Sequence, residues 1–170
     1  MIEHHLISVL VENKPGVLAR IASMFARRGF NIHSLAVGPT TDPALSRITL
    51  VVDGPEMEQI IKQLYKLVHV VKVTEMAPGQ GIEREVMLVR VVAEADRRGE
   101  VMETAGILEA KAVDVGVKSI TFAMSGPPGK LADFLELMSP YGIVDLVKSG
   151  RIAISKDPKA KEGRSRLRSA

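Results

Sequence analysis

The sequence predicts an α+β fold made of two ferredoxin-like βαββαβ domains. Segments with strand-like and helix-like apolar spacing alternate in that order, and the whole order then occurs a second time. The halves also match locally: Ile48-Thr49 and Gly54-Pro55 have counterparts at Ile120-Thr121 and Gly126-Pro127, each 72 residues later. A chain of 170 residues, 46% of them hydrophobic, is long enough to form two small cores.

In the first half, the apolar run from Leu6 to Val11 predicts a strand, and the residues after it follow helical spacing. Arginines at the end of that helix and Gly29 after them are typical of a helix C-terminus. The inward face of the helix is predicted to consist of Val17, Leu18, Ile21, Ala22 and Phe25. The later elements predicted here are a strand at Ile32–Val37, a loop at 38–43, a strand at Ile48–Val52, a helix opened by Pro55 with Ile60, Ile61, Leu64 and Leu67 inward, and a strand at Val70–Val73.

The segment 77–82 is predicted to be a linker because its proline and glycines disfavour regular structure. The elements predicted after it are strands at Val86–Val92, Ala112–Val117, Ile120–Met124 and Ile143–Val147, and helices at Val101–Leu108 and Leu131–Met138. Ile152–Ile154 is a candidate extension of the last strand. The domains are therefore predicted at residues 1–76 and 83–155, followed by a tail at 156–170.

The formal net charge of +3 comes from the tail rather than from the predicted domains. Residues 156–170 hold six of the 23 basic and two of the 20 acidic residues, which leaves 17 basic against 18 acidic residues elsewhere. We therefore expect no nucleic-acid surface on the domains, and we expect the tail to be disordered. The sequence contains no cysteine, no secretory signal and no apolar run of membrane length, so we expect a cytoplasmic protein without a membrane partner.

A four-stranded sheet with two helices leaves one of its faces uncovered. The predicted central strands of the first domain are apolar, and since strand side chains alternate, some of their residues are expected on the uncovered face. These residues are Val9, Val11, Val37, Ile48, Leu50 and Val52. An exposed apolar face predicts dimerisation, attachment to a partner, or packing between the two domains.

The junction between the first strand and the first helix is the most informative local feature. A helix N-terminus has unpartnered amide groups and the positive end of the helix dipole, so it suits a small carboxylate or phosphate. Because Gly16 has no side chain, the amides of Gly16, Val17 and Leu18 are predicted to be open to such a ligand. The side chain of Asn13 is predicted to contact either end of the ligand. A purely structural turn is the alternative explanation of these residues.

Asn31, at the start of the second strand, is predicted to face Asn13 of a second subunit across a symmetric interface. No catalytic residues are predicted, because the serines lack the elbow motif of a nucleophile. No metal site is predicted either, since the histidines lack metal-motif spacing; these are His4, His5, His33 and His69. We interpret the chain first as a binding protein. An enzyme is a weaker alternative, as is an RNA-binding module, which would need aromatic residues on its central strands.

Four stretches of the first half carry a family resemblance: residues 8–18 (SVLVENKPGVL), 27–32 (RRGFNI), 45–47 (LSR) and 62–68 (KQLYKLV). In this order they resemble the regulatory (small) subunits of acetolactate synthase, also called acetohydroxyacid synthase, whose first domain is an ACT domain. The resemblance runs from about Leu6 to Ser155. In that family, the second domain begins at the point that Glu83-Arg84-Glu85 matches here.

The resemblance implies a non-catalytic homodimer that binds no cofactor itself. Its partner would be a catalytic (large) subunit carrying thiamine diphosphate, magnesium and FAD. The chain would activate this partner and confer feedback inhibition by valine in branched-chain amino-acid synthesis. Valine is then expected near Asn13, Gly16, Val17 and Leu18 of one subunit, with Asn31 and Ile32 of the other subunit closing the site. The alternative is a stand-alone ACT-type amino-acid sensor that regulates another protein.

Overall fold

The computed structural model describes residues 4–53 and 57–157. The elements of the first half are β1 (His4–Glu12), α1 (Val17–Arg27), β2 (Asn31–Pro39), β3 (Leu45–Asp53), α2 (Met57–Tyr65) and β4 (Val70–Met76). Those of the second half are β5 (Gly81–Val92), α3 (Arg98–Ile107), β6 (Lys111–Val115), β7 (Ser119–Gly126), α4 (Pro128–Met138), a 3-10 turn (Ser139–Tyr141), β8 (Ile143–Lys148) and β9 (Ile152–Ser155). None of the helices in these ranges has the length and hydropathy that crossing a membrane requires.

Each half forms a βαββαβ unit around its own antiparallel sheet, which confirms the predicted fold class. The first sheet has the order β2-β3-β1-β4, and the second has the order β6-β7-β5-β8, with β9 paired to β5. In the first sheet, β1 and β2 both pair antiparallel with β3. Strands β1 and β2 therefore run in the same direction, with their first residues at the same end of the sheet.

Both helices of each unit pack on one face of its sheet and form a separate core. In α1 the buried residues are Val17, Ile21, Met24 and Phe25. The prediction that Leu18 and Ala22 face inward is wrong, because both are exposed. Burial instead follows the i, i+4, i+7 spacing from Val17 through Ile21 to Met24, so the apolar stripe is rotated towards Met24.

Several strands are longer than predicted because their backbone groups find partners in a neighbouring strand. Strand β2 continues through Gly38 and Pro39, predicted as loop, which oppose two residues of β3. Strand β5 begins at Gly81 inside the predicted linker, where it pairs with β9. In contrast, β6 ends at Val115, two residues earlier than predicted. The predicted helix start at Pro55 lies outside the described residues.

The prediction that some of the six named apolar residues lie on the uncovered face of the first sheet is wrong. Directly opposed residues share a face, and the register pairs Ile48 with both Val9 and Val37. All six follow this register on the helix side, where Val37 remains half-exposed. The other face carries Leu6, Ser8, Thr49 and Val51. The face opposite the helices is therefore more polar than was expected from the alternation of side chains along apolar strands.

Strand β9 packs against part of that second face, so the two domains contact each other. Ala153 of β9 forms a small buried cluster with Leu6, Val51 and Met76 of the first sheet. Of the three predicted ways to cover this face, packing between the domains is the one that the structure shows. Strand β9 also extends the line of β8 along β5, as predicted: β8 opposes Met87–Val91 and β9 opposes Gly81–Arg84.

The segment that connects β8 to β9, Ser149–Arg151, contacts the middle of β2. The backbone N–H of Arg151 donates to the hydroxyl oxygen of Ser34 over 2.8 Å. Gly150 has a positive φ of 82°, and a Cβ built on it would lie 2.6 Å from the Leu35 carbonyl oxygen. Only a residue without a side chain allows this close approach, so Gly150 fixes how tightly the second domain sits against β2.

Candidate functional site

The start of α1 is open, as the sequence predicted. Gly16 is the N-cap in the left-handed region (φ 82°), and no side chain caps the helix. A Cβ on Gly16 would meet no described residue within 4 Å, so nothing in residues 4–53 or 57–157 fills the space beside this backbone. Among the described residues, the amides of Gly16 and Leu18 have no hydrogen-bond acceptor, whereas the Val17 amide donates to the Lys14 carbonyl over 3.4 Å. Val17 is therefore the least available of the three predicted amides.

Asn13 is held beside this helix start by the loop that joins β2 to β3. Its backbone N–H donates to the Ala44 carbonyl over 2.7 Å, and its side-chain amide donates to the Pro43 carbonyl over 3.1 Å. Because a side-chain N–H is already used, the side-chain oxygen is the part of Asn13 left to accept a hydrogen bond. The second N–H of the side chain also remains, so Asn13 can meet a ligand ammonium through its oxygen or a ligand carboxylate through that N–H.

The charged groups next to this loop largely neutralise one another. Glu12 accepts a hydrogen bond from Lys14 and lies 3.1 Å from His69 Nδ1. The Lys14 ammonium, followed by His69, holds the pKa of Glu12 below its usual value. Because Lys14 is engaged by Glu12, the α1 amides and the helix dipole remain as the attraction for an anion at Gly16.

Asn31 is the first residue of β2 and is positioned by Asp53, the last residue of β3. The Asn31 side-chain amide donates to Asp53 Oδ2 over 2.9 Å, and this bond is the main reason that the pKa of Asp53 lies below its usual value. The Asn31 side-chain oxygen is again left as a hydrogen-bond acceptor. Ile32, the next residue, is partly buried and packs against the core of its own domain.

Asn13 and Asn31 lie at opposite ends of the first sheet. Asn31 opposes Asp53, which opposes His4 at the start of β1, whereas Asn13 follows the end of β1. Nine residues of extended strand separate these two levels, or about 30 Å at ~3.3 Å per residue. One small ligand cannot contact both asparagines of one chain, and the structure does not bring together the six predicted site residues within a single subunit.

A third group of polar side chains, not predicted from the sequence, lies at the Asn31 end of the sheet. His4, His33 and Asp53 place one nitrogen or oxygen atom each within 4.8 Å of one another. They come from three different strands, so no spacing within a single segment could reveal them. The prediction of no metal site rested on such spacing alone. The pairing register of the strands, which sets His4 opposite Asp53 and Asp53 opposite Asn31, is the feature that would have revealed this group.

Comparison with known proteins identifies the family of this chain. The family model described as "AHAS small subunit-like ACT domain" matches residues 7–72, and the one described as "Small subunit of acetolactate synthase" matches residues 84–157. Together they cover most of the chain. The chain belongs to the acetolactate synthase small-subunit family. Its first βαββαβ unit is thus an ACT domain, and the chain is a regulatory, non-catalytic subunit.

Individual acetolactate synthase small subunits agree with this assignment. The one from Mycolicibacterium smegmatis is 47% identical over 158 residues, which cover 91% of this chain and 92% of that protein. The one from Mycobacterium leprae is 43% identical over 157 residues, or 91% and 93% of the two chains. The crystal structure of the small subunit from Thermotoga maritima superposes with a TM-score of 0.82 at 38% identity, covering 92% of this chain and 99% of that one.

Proposed function

We propose that this chain is a cytoplasmic subunit that activates the acetolactate synthase catalytic subunit and makes it sensitive to feedback inhibition by valine. The observation that carries the proposal is the open helix start at Gly16, together with the placement of Asn13 and Asn31 at opposite ends of one sheet. A pocket built from these residues needs two subunits. The catalytic subunit would supply thiamine diphosphate, magnesium and FAD, and the regulatory chain would hold only the effector.

The carboxylate of valine fits the start of α1. The amides of Gly16 and Leu18 have no acceptor among the described residues, and no described residue fills the space beside Gly16, where the helix dipole also favours negative charge. Leu18 is 39% exposed, so its side chain offers an apolar contact for the valine isopropyl group. The amides and the dipole would hold a carboxylate or a phosphate alike, and the apolar contact with Leu18 is the feature that favours a small apolar amino acid.

The ammonium of valine fits the two asparagine oxygens. Both Asn13 and Asn31 use a side-chain N–H within their own subunit and leave the oxygen free. A two-fold axis beside β2 would make the two β2 strands antiparallel, so that the Asn31 end of one strand meets the far end of the other. Asn13, tied to Pro43 near that far end, would then face Asn31 of the partner subunit.

Valine can inhibit only if it binds the inhibiting arrangement of the complex more tightly than the activating one. Strand β2 offers a physical connection, because the same strand begins at Asn31 and supports Ser149–Arg151 of the second domain at Ser34. Reorientation of β2 on valine binding would thus move the second domain relative to the first. We propose that this movement weakens activation of the catalytic subunit.

The proposal is tested first by reconstitution and calorimetry. The purified chain should produce no acetolactate alone, should raise the rate of the catalytic subunit supplied with its cofactors, and should confer a valine inhibition curve. Titration of the chain with valine, leucine and isoleucine measures effector preference, with lysine as the control. Turnover by the chain alone would contradict a regulatory role, and failure to bind any branched-chain amino acid would contradict the effector site.

The shared pocket is tested with a mixed dimer of Asn13→Ala and Asn31→Ala chains. Each substitution alone should weaken valine binding by about 1–3 kcal/mol, the scale for leaving a buried polar or charged partner unpaired. If every site takes one asparagine from each subunit, the mixed dimer has one intact site and one doubly damaged site. Two equally weakened sites would contradict a pocket shared between the subunits.

A further inference from the structure

The side chains of His4, His33 and Asp53 meet on the sheet face opposite the helices of the ACT domain. His4 Nδ1 lies 2.6 Å from Asp53 Oδ1, and the His4 and His33 ring centroids lie 4.6 Å apart, with the ring planes tilted by 40°. The side chain of His4 is 41% exposed and that of Asp53 is 19% exposed, so an ion from solvent can reach them. One atom of each residue lies within 4.8 Å of the others.

The three donors match the preferences of a divalent transition metal. Two imidazoles and one carboxylate suit Zn²⁺, Ni²⁺, Co²⁺ and Cu²⁺, whereas Mg²⁺ prefers six oxygen ligands. In the tetrahedral geometry that Zn²⁺ prefers, Zn–N and Zn–O bonds of about 2.0–2.2 Å place neighbouring ligand atoms roughly 3.4 Å apart. Donor atoms up to 4.8 Å apart would need to close by as much as roughly 1.4 Å, and the His4 Nδ1–Asp53 Oδ1 contact of 2.6 Å would need to open by roughly 0.8 Å. Side-chain rotation can supply both movements.

Asp53 is also oriented as a metal ligand usually is. Its Oδ1 faces His4, while its Oδ2 accepts the hydrogen bond of Asn31 over 2.9 Å. The hydrogen bond to Asn31 fixes the carboxylate from outside the cluster, which is the role that second-shell partners of metal ligands play. A metal ion would take the place of the proton shared between His4 and Asp53, and the bond to Asn31 would remain.

The other histidine–carboxylate pairs of the described residues provide a comparison within the same chain. His69 Nδ1 lies 3.1 Å from Glu12, and His5 Nδ1 lies 3.4 Å from Glu75. Neither pair is joined by a second imidazole in the described ranges. A pair with one imidazole and one carboxylate offers a metal ion two donors, whereas the His4 cluster offers three donors from three strands.

We propose that His4, His33 and Asp53 bind one divalent transition-metal ion per chain, with Zn²⁺ and Ni²⁺ as the best candidates. Within one subunit the site lies at the end of the sheet far from Gly16, but Asp53 also holds Asn31 of the proposed valine pocket. Metal binding is therefore measured without valine. The ligands of the site come from β1, β2 and β3. A bound ion would therefore tie together the three strands at the edge where Asn31 begins β2.

Calorimetric titration of the full-length chain with ZnCl₂ and NiCl₂ tests the proposal, with MgCl₂ as the control ion. The chain must carry no histidine tag, since a tag would bind these metals itself. We expect one Zn²⁺ per chain and no comparable binding of Mg²⁺. The variants His4→Gln, His33→Gln and Asp53→Asn should each weaken Zn²⁺ binding by at least about tenfold, the lower end of what losing even an outer partner does to a metal site.

The matched control is His69→Gln, which removes a histidine beside a carboxylate but leaves the cluster intact. Its Zn²⁺ affinity should equal that of the unmodified chain. Imidazole ¹⁵N resonances provide a second readout that does not depend on folding stability: Zn²⁺ should shift those of His4 and His33 and leave that of His69 unchanged. Binding that survives in His33→Gln, binding that is lost in His69→Gln, or no one-to-one Zn²⁺ binding would overturn the proposal.

Discussion

The contact between Gly150 and strand β2 is the contact in this fold that a single substitution should disturb most. A Cβ at position 150 would lie 2.6 Å from the Leu35 carbonyl oxygen, whereas ordinary van der Waals contact begins near 3.4 Å. Gly150→Ala therefore requires the segment to withdraw by about 0.8 Å. The hydrogen bond from Arg151 N–H to the Ser34 hydroxyl oxygen, now 2.8 Å, would then approach 3.6 Å, which is too long for a hydrogen bond.

The loss of stability expected for Gly150→Ala has a local part and an inter-domain part. Alanine in the left-handed region costs about 1–2 kcal/mol, and the lost hydrogen bond costs about 1 kcal/mol. Gly79 is a matched control, because its φ of 81° is nearly the same and a Cβ there would meet nothing within 4 Å. Gly79→Ala should show only the local part, and Gly150→Ala should be less stable than Gly79→Ala by about 1 kcal/mol or more.

The assay is urea unfolding of both variants and the unmodified chain, with the free energy of unfolding compared at equal m-values. Activation of the catalytic subunit should be measured alongside, because the same contact links β2 to the second domain. Equal losses of stability in the two variants would refute the reasoning, since they would show that the approach of Gly150 to Leu35 adds nothing beyond the backbone conformation.

Three further predictions concern the helix start, the tail and the Asn31–Asp53 pair. Gly16→Asp should abolish valine sensitivity of the reconstituted enzyme. The control Gly16→Asn introduces a side chain of the same shape as Asp that tolerates the same backbone conformation, and it should retain more valine sensitivity because it adds no negative charge. Identical inhibition curves for the two variants would place the carboxylate site elsewhere. Removal of residues 158–170 should leave valine binding and activation nearly unchanged, because it spares the 2.9 Å hydrogen bond from Lys156 N–H to Gln80; a sharp loss of activation would instead make the tail a docking element. Asn31→Ala should raise the pKa of Asp53. In the unmodified chain the ionised carboxylate stabilises the fold fully above the unfolded pKa of about 3.9, and this stabilisation is lost as the pH falls through the lower folded pKa. The free energy of unfolding of the variant should therefore fall less on acidification than that of the unmodified chain. NMR titration of the Asp53 carboxyl carbon checks the shift, and an unchanged pKa would contradict the role given to Asn31.

Local periodicity was sufficient to predict the order and type of the elements. The strand and helix patterns of the first half placed β1, α1, β3, α2 and β4 within a few residues of their positions, because apolar spacing reports which face of an element is buried. The bounds were less predictable. Glycine and proline at 38–39 and glycine at 81 read as loop, yet each continues a strand because a neighbouring strand satisfies its backbone.

The helix-start part of the candidate site was predictable, because a turn before an amphipathic helix is a local feature. The sequence placed Gly16 at an uncapped N-terminus, and the structure has it there. The hydrogen-bond partners of the two asparagines were not predictable, since Asn13 pairs with Pro43 and Asn31 pairs with Asp53 across the sheet. The way these bonds leave each side-chain oxygen free for a ligand was visible only after folding.

The sequence by itself determined the two repeated βαββαβ units, the open start of α1 and the membership of a regulatory family, because these depend on neighbours along the chain. The tertiary structure alone decided which residues meet across strands: the separation of Asn13 from Asn31 by about 30 Å, the meeting of His4, His33 and Asp53, and the seating of Gly150 on β2. The physical reason is that strand register sets these contacts, and register is fixed by hydrogen bonds and packing between segments that are distant in sequence.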